Sequence, residues 1–145
     1  MKLKIYIMHS EKVDYKNEIY KPLLEKGLMD AYFLVLPLSQ KFISHYIKEL
    51  INDCDIVICD LTKFNIFANF ELKTAKKLNK EIYYFIKEDD KKVSKYKDIN
   101  LIKYKTSEEF AILVKKLLDS LNHKALYLKR DNIYSLGKIV KNKYN

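Results

Sequence analysis

Apolar and polar positions alternate along this chain in blocks, and the blocks change period. Residues 2–8 (KLKIYIM) carry a continuous apolar run, Ile5, Tyr6, Ile7 and Met8, as expected of a strand covered on both faces. Residues 14–28 then show helical spacing through Ile19, Leu23 and Leu24. Pro22 inside that pattern predicts a kink or two short helices, and Gly27 is a natural stop. A second buried strand is predicted over 31–36 (AYFLVL), ended by Pro37. Ser39 is placed to cap a helix over 40–52, with Phe42, Ile43, Tyr46, Ile47, Leu50 and Ile51 on one face. The third strand, 55–61, ends at Asp60 and Leu61. A polar loop over 61–69 follows, and Asn69 is the expected cap of a helix over 70–79, with Glu71 in its first turn. Residues 81–86 (EIYYFI) form a fourth strand, and 87–98 is a charged loop. A short fifth strand follows over 100–104. Thr106 opens a strongly amphipathic helix through Phe110, Leu113, Val114, Leu117, Leu118 and Leu121, with Glu108 and Glu109 where the helix dipole favours acids.

Strands alternating with helices imply an α/β fold, a three-layer sandwich around a parallel sheet. Right-handed crossovers leave few topologies. The expectation is five strands in the flavodoxin-like order 2-1-3-4-5 with a C-terminal helical extension. A length of 145 residues suits one domain, assigned to 1–121, with 122–145 as a basic extension. That extension mixes apolar residues with lysines and is expected to form an extra helix or two over an edge or a partner.

Composition narrows the function classes. The chain is 48% hydrophobic, so disorder is not expected, and no apolar run approaches the ~20 residues of a membrane span. The N-terminus has no signal pattern, which points to the cytoplasm. The net charge of +9 invites a nucleic-acid reading, but Arg130 is the only arginine beside 27 lysines, and arginine is the usual bidentate reader of phosphate and base. Residues 122–145 hold +5 of that total, so the charge is mostly a solvated tail and nucleic acid is not the expected partner. Cys54 and Cys59 flank one strand and read as buried thiols. With the three histidines scattered, no metal-ligand spacing exists. The two glycines, Gly27 and Gly137, do not follow strands, so a glycine-rich phosphate loop of the dinucleotide or Walker type is excluded and no cofactor is expected.

In open parallel sheets ligands bind beyond the carboxyl ends of the strands, at the switch between the two halves. For order 2-1-3-4-5 the switch lies between strands one and three. That reasoning gathers His9, Ser10, Asp60, Thr62, Asn65, Asn69 and Glu71 around one crevice.

Three segments, KIYIMHS, CDIVICDLT and FELKTAKKLNKEIYY, resemble the nucleoside 2-deoxyribosyltransferase-like superfamily over roughly the first two-thirds of the chain. The matching form is an aspartate-headed apolar strand from Asp55, a loop, Glu71-Leu72, Ala75 and then a strand. TIR-type NAD-cleaving domains share the sheet logic and are the nearest neighbours. The resemblance implies cleavage or transfer at the N-glycosidic bond of a nucleoside, nucleotide or NAD. It implies Glu71 as nucleophile and Tyr6 as the residue that orients it; the crevice supplies His9, Ser10, Asp60, Asn65 and Asn69 as the expected substrate-binding residues, with Asp60 the one nearby carboxylate able to protonate a leaving base. It implies a small-molecule partner and leaves a homo-oligomer open. Asn65 stands where the transferases carry an aspartate that handles the base, and Phe67-Ala68-Asn69-Phe70 replaces the family's glycines. Those departures favour the alternative, a non-catalytic nucleotide-binding or TIR-like signalling module.

Overall fold

In the computed structural model, residues 3–37 and 44–134 are described. Five parallel strands, β1 (Lys4–Met8), β2 (Phe33–Val35), β3 (Ile56–Asp60), β4 (Glu81–Lys87) and β5 (Leu101–Tyr104), form one sheet of order β2-β1-β3-β4-β5. The order expected from the sequence is the order found.

Strand periodicity splits the core in two. On one face Ile5, Ile7, Ile56, Ile58, Phe85 and Tyr104 pack against a π-helical turn (Lys16–Tyr20), α1 (Lys21–Glu25), α2 (Leu28–Ala31) and α5 (Ser107–Tyr134). Phe85 meets Phe110 of α5 edge to face, with ring centroids 5.3 Å apart. On the other face Tyr6, Met8, Val57, Cys59 and Ile86 pack against α3 (Ser44–Asn52) and α4 (Ile66–Lys77). Each fully buried aliphatic side chain contributes about 1.5–3 kcal/mol, and β1 supplies them to both faces, so this strand anchors both layers. Cys54 and Cys59 are free and buried, and burial pushes both thiols up, Cys54 to about 11.

The segment around Pro22 is broken up as expected, into a π-helical turn followed by two short helices, with Gly27 at φ 73 between them. Three other local expectations need correcting. The stretch 31–36 is not all strand, because Ala31 closes α2 and β2 covers only Phe33–Val35. Helix α4 begins at Ile66, not after Asn69. Asn65 holds the extended conformation that a cap needs, and its side chain accepts from the Ala68 amide at 3.0 Å. Asn69 is therefore inside the helix, its amide donating to the Asn65 carbonyl, and Glu71 lies in the second turn. Finally, the expected extension begins as a continuation of α5, which passes 121 without a break and reaches Tyr134. The Ser39 cap and helix residues 40–43 lie outside the described residues, as do 135–145.

Thr106 caps α5 as expected. Its hydroxyl accepts from the Glu109 amide at 3.1 Å, and the Glu109 carboxylate accepts from the Lys105 amide at 3.0 Å. Among the described residues no helix is long and apolar enough to cross a membrane.

Candidate functional site

The chain leaves β1, builds β2 on one side of it, and crosses back to β3 on the other. The carboxyl ends of β1 and β3 therefore open at the switch point. The residues expected around one crevice there are divided into separate groups.

The first group is Tyr6 and Glu71. Ala68, Glu71, Leu72 and Ala75 recur at helical spacing and form the inward face of α4. This turns Glu71 toward β1, where the Tyr6 hydroxyl donates to Glu71 Oε2 at 3.0 Å. Glu71 is 3% exposed and Tyr6 wholly buried. Burial first, and then the charge and hydrogen bond of Glu71, push the Tyr6 phenol far above its usual pKa. The phenol therefore stays protonated and remains a fixed donor to the carboxylate. Because Glu71 lies beyond the first helical turn, the α4 dipole is a minor influence on it.

The second group surrounds Asp60, which is 1% exposed. Asp60 Oδ1 accepts from the Thr62 hydroxyl at 2.7 Å and the Thr62 amide at 3.2 Å, and Oδ2 accepts from the Tyr104 hydroxyl at 2.9 Å. Thr62 Oγ1 also accepts from the Lys87 amide at 2.9 Å. These bonds clasp the ends of β3, β4 and β5. Asp60 follows Ile56 and Ile58 in strand phase and shares Tyr104 with their layer, so it faces away from the layer that holds Tyr6 and Glu71. Burial raises its carboxyl to about 6 against the opposing pull of the Thr62 and Tyr104 hydrogen bonds. The structure does not bring Asp60 to Glu71.

His9 and Ser10 form a third, buried group. His9 stacks on Tyr15 at 4.4 Å, its Nδ1 lies 3.2 Å from the Ser10 carbonyl, and its Nε2 lies 2.5 Å from the Tyr20 hydroxyl. That hydroxyl donates to the Pro37 carbonyl. Burial lowers the His9 pKa, opposed by the Ser10 and Pro37 carbonyls. Tyr20 links this group to the first, because its pKa is raised by burial and then by the charges of Tyr15 and Glu71. Ser10 Oγ accepts from the Lys12 amide at 3.1 Å and so shapes the β1 loop.

Asn65 and Asn69 line an open cleft of about 650 Å³ with Lys12, Phe64, Ile66, Lys92 and Tyr96. Glu71 is not among its lining residues. Sequence reasoning missed Tyr20 and Tyr104, two of twelve tyrosines, because nothing local separates them from core tyrosines. It also missed the meeting of Lys12 with Lys92, which are 80 residues apart and are brought together only by the order of the strands. Among the described residues no group of His, Cys, Asp and Glu is arranged to hold a metal ion.

No protein-family model and no curated protein sequence matches this chain. Among solved structures it is similar to a CMP N-glycosidase of Clostridium botulinum, BcmB, with a TM-score of 0.50 and 13% identity over 77% of this chain and 98% of that one. It is also similar to a de novo designed Rossmann 2x3 fold protein, with a TM-score of 0.56 and 14% identity over 83% of this chain and 91% of that one. The likeness is one of fold. A designed scaffold and an N-glycosidase match about equally well, so activity has to be argued from the side chains at the switch point.

Proposed function

We propose that this protein cleaves or transfers at the N-glycosidic bond of a nucleoside, nucleotide or NAD, with Glu71 as nucleophile and Tyr6 as the residue that orients it. The observation that supports this most is the buried 3.0 Å hydrogen bond from Tyr6 on β1 to Glu71 on α4. Burying a carboxylate costs folding free energy even when a protonated phenol bonds to it, and groups buried at such a cost are concentrated at functional sites. The fold shared with an N-glycosidase is consistent with the reading.

In the proposed reaction a Glu71 oxygen bonds to the anomeric carbon as the C–N bond breaks, and the bonding pair leaves on the base nitrogen; a nucleoside or nucleotide base takes up a proton from solvent water there, while the nicotinamide of NAD leaves neutral without one. Water, releasing a proton to solvent, or an acceptor base, releasing its N–H proton, then bonds to the same carbon, the ester to Glu71 breaks, and the carboxylate is restored. Tyr6 keeps the nucleophile in one orientation throughout, and its hydrogen bond weakens while the ester exists. Asp60 takes no part in this reading, since both of its oxygens are engaged by Thr62 and Tyr104.

A second reading, a nucleotide-binding module without turnover, is favoured by the 3% exposure of Glu71 and by Asn65, whose side-chain oxygen is used as a helix cap. Incubation with nucleosides, nucleotides and NAD, followed by chromatography of the released base, separates the two. Base release that Glu71→Gln abolishes supports the enzyme. No base release from any of them, together with a ligand that raises the melting temperature, supports the module.

A further inference from the structure

The cleft in front of α4 is continuous in its walls with a second hollow of about 470 Å³. The second hollow is lined by Thr62, Lys63, Lys87, Asp89, Asp90 and Lys91, and the two share Lys12, Phe64 and Lys92. Their chemistry differs. The first offers the rings of Phe64 and Tyr96, the side chain of Ile66 and the amides of Asn65 and Asn69. Among the described residues the Asn69 side chain makes no hydrogen bond, and the Asn65 amide nitrogen is left over once its oxygen has capped the helix. This is a surface for a planar, hydrogen-bonding ring. The second hollow and the junction carry five lysines against two aspartates.

Several features show that these walls are held in place. Asp90 accepts from the Lys63 amide at 2.9 Å and the Lys92 amide at 2.8 Å, so its carboxylate is used to join two loops. The Lys92 ammonium donates to the Phe64 carbonyl at 3.2 Å and joins them a second time. Lys63 is held at φ 51, in the left-handed region, at a cost of the order of 1 kcal/mol for a non-glycine residue. The three ion pairs among the described residues, Lys4–Asp53, Lys26–Glu108 and Lys115–Asp119, involve none of these five lysines. Five cations drawn together on three loops and the end of β4 repel one another, and an anion among them relieves that repulsion.

We propose that the double hollow is a binding site for a nucleoside polyphosphate, its base in the first hollow, its phosphates in the second, and Lys12 and Lys92 at the junction. The combined space suits a ligand of that size. Since Glu71 lines neither hollow, the site is separate from the proposed nucleophile and holds its ligand without cleaving it.

Equilibrium dialysis of the full chain at low salt tests this with four probes: ATP, AMP, adenosine and inorganic tripolyphosphate. The expected order is ATP tightest, with adenosine weaker by about tenfold or more for want of charge-assisted bonds, and tripolyphosphate also weaker than ATP for want of the ring. Replacing both junction lysines, Lys12→Ala with Lys92→Ala, is expected to weaken ATP by about tenfold or more. The control pair Lys76→Ala with Lys77→Ala, at the far end of α4, is expected to change it less than about twofold. Glu71→Gln is expected to leave ATP binding unchanged, which separates this site from the catalytic proposal. Circular dichroism melts establish that each variant is folded. No binding of ATP, adenosine binding as tightly as ATP, tripolyphosphate matching ATP, an equal loss in the control pair, or loss in Glu71→Gln would each overturn the proposal.

Discussion

Two carboxylates are buried in this protein, Asp60 and Glu71, and they are held in different ways. Asp60 is surrounded by the chain that it organises. Thr62 and Tyr104 bond to it, Thr62 in turn receives the Lys87 amide, and the result is a clasp over three strand ends. Glu71 reaches across layers instead, from the inward face of α4 to the hydroxyl of Tyr6 on β1. No turn or strand end is closed by that bond. Burial of an acid does not by itself identify a nucleophile. Asp60 is engaged by the adjoining loop at Thr62 and by Tyr104 at the end of β5, whereas Glu71 is met by Tyr6 from a strand of the switch point.

The largest effect expected from breaking this contrast is on activity. Glu71→Gln should lower base release by about 10³-fold or more while leaving the melting temperature within a few degrees, as read by chromatography and thermal melts. Tyr6→Phe removes only the donor, and a loss of about 10–10²-fold in kcat is expected, with the buried volume kept. Asp60→Ala should do the reverse. It leaves the Thr62 amide, and one hydroxyl proton of the Thr62–Tyr104 pair whose oxygens lie 3.0 Å apart, without an acceptor, at a cost of about 3 kcal/mol, or a drop of roughly 10 °C in melting temperature, while the folded fraction keeps activity within a few-fold.

The pH dependence sharpens the same contrast. The folded-state pKa of Asp60, about 6, lies above its unfolded value, so between roughly pH 4 and 6 the folded protein binds more protons than the unfolded chain. Stability from this group is therefore present below that window and is lost as pH rises through it, by about 3 kcal/mol. His9 acts in the opposite sense. Its pKa is lowered by burial, so its contribution grows as pH rises toward its unfolded value of about 6.5. The two slopes overlap in the wild-type protein, but His9 is common to wild type and Asp60→Asn and cancels in their difference. The melting temperature of wild type minus that of Asp60→Asn should fall between pH 4 and 6 and stay level above about pH 7. The smallest effect concerns the loop that joins the two acids. Asn65→Ala should cost about 1 kcal/mol by denaturant melts, and Asn69→Ala only a few tenths, because Asn65 alone caps α4.

The strands and their order were legible in the sequence because Ile5–Met8, Ile56–Ile58 and Phe85–Ile86 are continuous apolar runs set between helical periods. The start of α4 was not, because two asparagines four residues apart carry the same capping signal, and the backbone conformation of Asn65 decides between them. The pairing of Tyr6 with Glu71 was reached through a family resemblance, since no local pattern links residues 65 apart. Grouping Asp60 with Glu71 failed for a physical reason. Switch-point logic says which strand ends meet but not which sheet face a side chain takes, and strand phase sends Asp60 toward Tyr104. The lysine-walled hollows were invisible for a similar reason, as their charges come from three loops and the end of β4 and matter only once assembled.

As nucleophile, Glu71 would bond to the sugar. Rapid acid quench of the protein during turnover of whichever nucleoside, nucleotide or NAD releases base, followed by mass spectrometry of its peptides, tests it directly. A glycosyl adduct is expected on the peptide that carries Glu71, absent in Glu71→Gln. Continued base release by Glu71→Gln, or an adduct on another carboxylate such as Asp60, would contradict it.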